Sequence, residues 1–244
     1  MPTDVDTTLI LPVFNEERRI VSTLEALNHF RRAADWPFFC LIVNDGSNDQ
    51  TGAIISAFAK TEEWLQILDN RQNRGKGAAV RDGMLKANTR FTIFLDADLP
   101  IPLATLLHAR HHLRQGADLV LGARRHPDSI ITGQSRARRF ISISGNLMIR
   151  VLTGLPHHDT QCGFKGFRRE CAQRLFTETS CSGYIFDVEL LMRARQRNYN
   201  VVEIPVHWTH IPNGSFKPNR DCIPAMIELL KLVLQLRFSD RKAP

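Results

Sequence analysis

Phe91-Thr92-Ile93-Phe94-Leu95 is a short apolar run that ends abruptly in Asp96-Ala97-Asp98. The run reads as a strand, and the two acids stand just past its carboxyl end. Outward from it, runs of the same kind occur at Thr8 to Val13, Phe38 to Asn44, Leu65 to Asp69 and Asp118 to Gly122. Helical patterns fill the gaps. The first begins near Glu16, with Ile20, Leu24 and Leu27 on one side; others follow Thr51, Gly75 and Leu103 and turn Ile54, Phe58, Val80, Met84, Leu106 and Leu113 inward. This alternation predicts an α/β fold: a mostly parallel, Rossmann-like sheet with helices on both faces. One further strand is read at Val201 to Val206.

In open sheets of this class, ligands bind beyond the carboxyl ends of the strands. Those positions are polar here: Asn15 and Glu16 after the first strand, Asn44-Asp45-Gly46-Ser47 after the second, and Asp96 and Asp98 after the fourth. Alternation along an extended segment would point both aspartates the same way. A hard cation such as Mg²⁺ or Mn²⁺ accepts one or two carboxylates together with phosphate oxygens, which a nucleotide diphosphate offers. The same triplet also arises as a strand-end turn or a helix cap. Asp45, before a Gly-Ser turn, is placed to accept from a base or ribose, or to shape the turn itself. Asn73-Arg74-Gly75-Lys76-Gly77 precedes a helix and can offer amides and the Lys76 cation to phosphate. It lacks the spacing of a Walker A loop, and no GxGxxG follows a strand, which argues against a dinucleotide oxidoreductase.

A length of 244 residues fits one α/β domain with a short appendage. The five cysteines are scattered and form no CxxC pair, so neither a disulfide framework nor a zinc site is expected, and a reducing cytoplasm fits. A net charge of +7 points to an anionic partner, with Arg124, Arg125, Arg136, Arg138, Arg139 and Arg150 concentrated in one stretch. Nucleic acid is not the expected partner, because it would leave Asp45, Asp96 and Asp98 unexplained on the binding edge. No signal peptide is read, and no run reaches the roughly 20 apolar residues that span a bilayer. Residues 1–217 read as the catalytic domain and 218–244 as an apolar helix, Ile223 to Phe238, with a basic tail. Three readings fit that amphipathic helix: lying in a lipid interface, packing on the domain, or pairing with a second copy as a homodimer. His108, His111 and His112 are expected to decorate a helix surface. Trp208 and His210 border either an acceptor channel or the core edge.

Taken together, Leu11 to Glu17, Asn44 to Ser47, Asn73 to Gly77, Asp96 to Asp98, Gly122-Ala123-Arg124, Asp159 to Lys165 and Phe186 to Glu189 resemble the inverting glycosyltransferases of family 2, which have the GT-A fold. The resemblance runs from Thr8 to about Lys217. Within the family the chain is similar to polyprenyl-phosphate hexosyltransferases, that is, dolichyl-phosphate glucosyltransferases and dolichol-phosphate mannose synthases. It implies that Pro12, Asn15, Glu16 and Asp45 hold the nucleoside, with Lys76 beside the phosphates, and that Asp96 and Asp98 hold Mg²⁺ or Mn²⁺ on the donor diphosphate. It further implies that Arg124, Arg136, Arg138, Arg139, Ser215 and Lys217 face an acceptor phosphate, and that Asp187 is a base or a contact to a sugar hydroxyl. Asp187 and Glu189 can instead cap a helix through Leu190 and Leu191.

The implied reaction moves a hexose, with inversion, from a nucleotide sugar to a polyprenyl or dolichyl phosphate at the cytoplasmic face of a membrane, as a peripheral enzyme. UDP-glucose is favoured as donor over GDP-mannose, whose users resemble Gly183-Tyr184 followed by the stretch Arg193 to Tyr199. Asn44 replaces the family's usual first acid, which bears on the nucleobase. A non-lipid glycan acceptor, or a noncatalytic sugar-nucleotide binder, are the alternatives.

Overall fold

Leu9 and Leu11 face one way along the first strand and Ile10 the other, yet all three are fully buried. A strand apolar on both sides requires helices on both sides. The computed structural model, which describes residues 5–212 and 218–240 with side chains of the last helix over 222–236, has that arrangement. Its elements in chain order are β1 (Thr7–Val13), α1 (Ile20–Ala33), β2 (Phe39–Asn44), α2 (Thr51–Ala59), β3 (Leu65–Asp69), α3 (Lys76–Lys86), β4 (Phe91–Leu95), α4 (Thr105–Arg114) and β5 (Leu119–Ala123). There follow β6 (Ile130–Thr132), α5 (Arg136–Thr153), β7 (Phe164–Arg168), α6 (Arg169–Glu178), α7 (Phe186–Gln196), β8 (Val201–Pro205), β9 (His207–Thr209) and α8 (Pro218–Asp240).

The main sheet has the order β3-β2-β1-β4-β7-β5-β8. All neighbours are parallel except β7, which runs antiparallel between β4 and β5. On one face Leu9, Leu11, Ile42 and Ile93 meet Leu24 and Leu27 of α1, Ile55 of α2 and Leu106 of α4. On the other, Ile10, Val43, Phe94 and Leu121 meet Val80 and Met84 of α3 together with α6, α7 and α8. The expected α/β class and the five strands read first therefore stand, each within about one residue of its expected limits. β7 was not expected as a strand: it carries a charged Lys165 in the middle of the sheet.

The C-terminal helix α8 packs on the domain. Leu229, Leu232, Val233 and Leu236 are buried in the second core, while Ile223, Ile227, Leu230 and Leu234 form an exposed row on its other side. α8 also packs against α5, which shows a comparable row: Phe140, Ile143, Leu147 and Val151 are all exposed. No described helix is long and apolar enough to cross a membrane.

Candidate active site

The cleft originates in strand pairing. β1 pairs with β2 as far as Val13 and Asn44, but its pairing with β4 ends at Ile10 and Phe94. Beyond that point β1 and β4 part, and Pro12, which has no N–H to give, loses no ladder bond to β4. The strand order also reverses here, β2 and β3 lying to one side of β1 and β4 to the other, so the crevice forms at the topological switch point. It opens into a cavity of ≈ 890 Å³ lined by Pro12, Asn15, Glu16, Asp45, Lys76, Asp96, Asp98, Arg124, Arg138 and Asp187, among others.

Two loops make the wall past β1. Asn15, in the left-handed region at φ 55, accepts the Asn48 amide at 2.9 Å and donates its own amide to Ser47 Oγ at 3.0 Å; asparagine adopts this conformation at low cost. The Glu16 amide donates to Thr51 Oγ1, and the Glu16 carboxylate pairs with Arg19 at 2.7 Å. Asp45 is 3 % exposed and accepts the amides of Arg74 and Gly75 at 3.1 and 2.8 Å. It therefore pins the loop entering α3, as well as lining the cleft. Asn44 turns away from the cavity: its amide nitrogen donates to Asp69, and its oxygen accepts the Ser47 amide.

The floor carries the acids. Asp96 to Leu99 is a turn closed by the Leu99 amide on the Asp96 carbonyl at 3.1 Å, so a turn rather than strand alternation brings Asp96 and Asp98 to the cavity, with Ala97 buried between them. Burial and then the charge of Asp96 push the Asp98 carboxyl up to about 6; Glu16 adds to this, and Arg19 and Lys76 oppose it. Carboxylates crowded this way are a site that a cation would relieve. The described residues contain no group of three or more His, Cys, Asp or Glu that could hold a metal ion by itself. Lys76 Nζ reaches Asp96 Oδ1 at 2.5 Å. Gly163 leaves room for the Asp96 carboxylate: a Cβ there would fall on it and displace it.

The opposite wall is basic. Arg124 is clamped by Asp159, with Nε to Oδ2 at 2.6 Å and Nη2 to Oδ1 at 2.9 Å, and its guanidinium lies 5.8 Å from the Trp208 ring centroid. Burial alone would raise the Asp159 carboxyl, but the Arg124 charge and hydrogen bonds outweigh it and hold the group below the usual carboxylate range. Arg125 donates to Ser142 of α5. Between the walls lies Asp187, 3 % exposed, in the first turn of α7 and bound to Lys165 at 2.6 Å. Its carboxyl is raised by burial, with Lys165 and Lys76 acting against that rise.

The cavity thus gathers most of the residues singled out in the sequence. Arg136 and Arg139 do not line it; they lie exposed in the first turn of α5. Ser215 and Lys217 lie outside the described residues. Glu189 points elsewhere, accepting the amides of Ser180 and Cys181 and pairing with Arg193. Arg193 and Arg197, in the stretch resembling mannose synthases, pair with Glu189 and Glu178 and do not line the cavity. Trp208 and His210 do line the cavity. Sequence reasoning missed Arg19, Gln161, Tyr184 and Lys165. Of these, Gln161 and Lys165 had a signal as members of the Asp159 to Lys165 segment, and Tyr184 as part of the Gly183-Tyr184 pair that resembles mannose synthases; both residues of that pair line the cavity.

A family model described as glycosyl transferase family 2 matches residues 8–176. A dolichyl-phosphate beta-glucosyltransferase of Trichomonas vaginalis is 30% identical over 247 residues, covering 97% of this chain and 73% of the relative. Its namesake in Drosophila melanogaster is 32% identical over 228 residues, covering 88% and 70%. Among solved structures, glucosyl-3-phosphoglycerate synthase from Mycobacterium tuberculosis, in complex with Mn²⁺, UDP and glucosyl-3-phosphoglycerate, superposes with a TM-score of 0.67 at 18% identity, covering 95% of this chain and 79% of that one. A mannosyltransferase from Pyrobaculum calidifontis in complex with GDP-Man and Mn²⁺ gives 0.64 at 20% identity, covering 100% and 67%. Both share the fold.

Proposed function

The chain belongs to glycosyl transferase family 2, and from that premise we propose that it transfers a hexose, UDP-glucose being the favoured donor, to a polyprenyl or dolichyl phosphate with inversion at the anomeric carbon. It is a glycosyltransferase with a GT-A-like fold. The observation that carries the finer reading is the two-sided cleft, with a carboxylate pair and Lys76 on one side and Arg124, Arg125 and Arg138 on the other. A donor diphosphate needs the first side and an acceptor phosphate needs the second. The names of the relatives in Trichomonas and Drosophila support the acceptor and the sugar.

In this reading Asp96 and Asp98 hold Mg²⁺ or Mn²⁺, which when bound stabilises the charge that develops on the departing diphosphate. Lys76 adds a second cation at the same place. Pro12, Asn15, Glu16 and Asp45 form the nucleoside wall. Arg124, held rigid by Asp159, positions the acceptor phosphate for in-line attack opposite the leaving group. A phosphate monoester is already anionic at neutral pH, so orientation and charge complementarity contribute more than proton removal. Asp187 accordingly orients a sugar hydroxyl.

The surroundings of the cleft support a lipid acceptor. Exposed apolar rows of α5 and α8 lie beside it, and three arginines occupy the first turn of α5. Cations at a helix amino end oppose the helix dipole, which favours an external anion there. We assign residues 1–217 to the catalytic unit and 218–244 to a helix and tail that, with α5, rest on a membrane surface as a peripheral contact.

The test is transfer of label to the lipid phase. The protein is incubated with Mg²⁺ or Mn²⁺, a short polyprenyl phosphate and labelled UDP-glucose, GDP-mannose or UDP-GlcNAc in turn, with Asp98→Ala as control. Metal-dependent label from UDP-glucose alone is expected. Label from GDP-mannose alone would replace the donor, and nucleotide binding without transfer would replace the acceptor or the enzyme reading.

A further inference from the structure

Lys165 has no exposed surface and sits in β7 at the centre of the sheet, opposite Phe94 and Leu121. A buried ammonium is costly unless each of its donors is met. Here Nζ donates to the Cys162 carbonyl at 2.7 Å and to Asp187 Oδ1 at 2.6 Å, and lies 5.4 Å from the Phe94 ring centroid. A buried ion pair is a poor way to gain stability, since a well-packed apolar pair often does as well. This one, however, ends on an acid that lines the cavity.

We propose that Lys165 is a positioning residue for the transfer step: its bond to Oδ1 holds and orients the Asp187 carboxylate, so that the oxygen not bound to Lys165 meets the substrate. The proposal rests on the transferase reading above. Four charges form the local group: Lys165 from β7, Asp187 from α7, Lys76 from α3 and Asp96 from the turn after β4. Two cations balance two anions. Asp159 and His157 face Lys165 from the loop before β7. Without Lys165, Asp187 keeps the influence of Lys76, which is itself paired with Asp96, against burial and the Asp96 charge. A buried carboxylate in that position takes up a proton and loses its acceptor role.

The experiment compares Lys165→Met, Lys165→Arg and the double variant Lys165→Met/Asp187→Asn in the full chain. Four properties are measured: thermal midpoint, Mn²⁺-dependent UDP affinity, transfer rate against pH, and the infrared carbonyl band of a protonated carboxylic acid. Lys165→Met is expected to lower kcat at pH 7 by about 100-fold while UDP affinity stays within about twofold, because Lys165 does not line the cavity. Its rate should recover as the pH rises, and it should show an acid band that is absent from the double variant. Lys165→Arg keeps the cation and should retain part of the rate, with the parental pH profile. A parental kcat in Lys165→Met, or a lost rate with an unchanged pH profile and no acid band, overturns the proposal. If Lys165→Met does not fold, Lys165→Gln, which keeps a donor for the Cys162 carbonyl, is read in the same way. A parental protein that transfers no sugar removes the transferase reading and this proposal with it, while the infrared band reports the Lys165–Asp187 coupling separately.

Discussion

Replacing Gly163 with alanine is expected to disable the cleft while leaving the fold standing. A Cβ at 163 would overlap Oδ2 and Cγ of Asp96. The backbone there has little freedom, because the Asp96 amide donates to the Gly163 carbonyl at 3.1 Å and the chain enters β7 one residue later. The side chain of Asp96 is the part that can move, so it swings to another rotamer and carries its oxygens roughly 2 Å from their place. A misplacement of about 1 Å at a reacting centre costs on the order of 100-fold in rate. The stability cost is small by comparison. Asp96 loses its partly exposed pair with Lys76, worth about 1 kcal/mol or less, which corresponds to a fall in Tm of roughly 2–4 °C for a domain of this size. Calorimetric titration of UDP with and without Mn²⁺, a thermal melt and a turnover assay read these effects separately. The expected result is a near-parental Tm, loss of the Mn²⁺-dependent part of UDP affinity, and turnover lower by about 100-fold or more. Parental Mn²⁺-dependent affinity in Gly163→Ala would refute the assignment of Asp96 as a metal-holding carboxylate.

Asp159→Asn strands the Arg124 charge and should cost about 3 kcal/mol in a urea titration, with KM for the acceptor rising more than KM for the donor. Burial lifts both Asp159 and Glu189, but Arg124 on the first, and the Cys181 amide with Arg193 on the second, outweigh it and leave both below their ordinary values. Their stabilisation is therefore complete above the unfolded carboxylate range, about pH 4, and is lost as the pH falls through the lower folded values; Tm should drop there, less steeply in Glu189→Gln. Gly77→Ala would press a Cβ to 2.8 Å from the Cys181 carbonyl oxygen and from Phe186 Cβ, which should lower the urea midpoint by the equivalent of about 1–3 kcal/mol. Phe140→Glu with Val151→Glu places charge on the exposed row of α5, and should reduce sedimentation with anionic vesicles while leaving Tm unchanged.

The first five strands and the helices between them were legible because each is a local pattern. An apolar run such as Leu9 to Val13, or the Ile20, Leu24 and Leu27 stripe, is enforced by burial against whatever covers it. The polar residues after β1, β2 and β4 were legible for the same reason, since a parallel sheet must leave its carboxyl edge open. β7 was not, because Lys165 spoils its apolar pattern and is tolerated through the Cys162 carbonyl and through Asp187, 22 residues further on. The exposed row of α5 was equally hidden, since an apolar stripe on a helix does not say which way it faces.

From the sequence alone come the α/β class, the position of the binding edge, and the acids and basic residues that stand on it. The tertiary structure decided which of those charges work together. Arg124 meets Asp159 across 35 residues, Lys76 meets Asp96, and the turn at Asp96 to Leu99 brings two carboxylates to one cavity. The physical reason is range: periodicity is fixed by neighbours along the chain, whereas the partner of a buried charge is fixed by where the chain returns in space, and a charge removed from water must find that partner for the fold to hold.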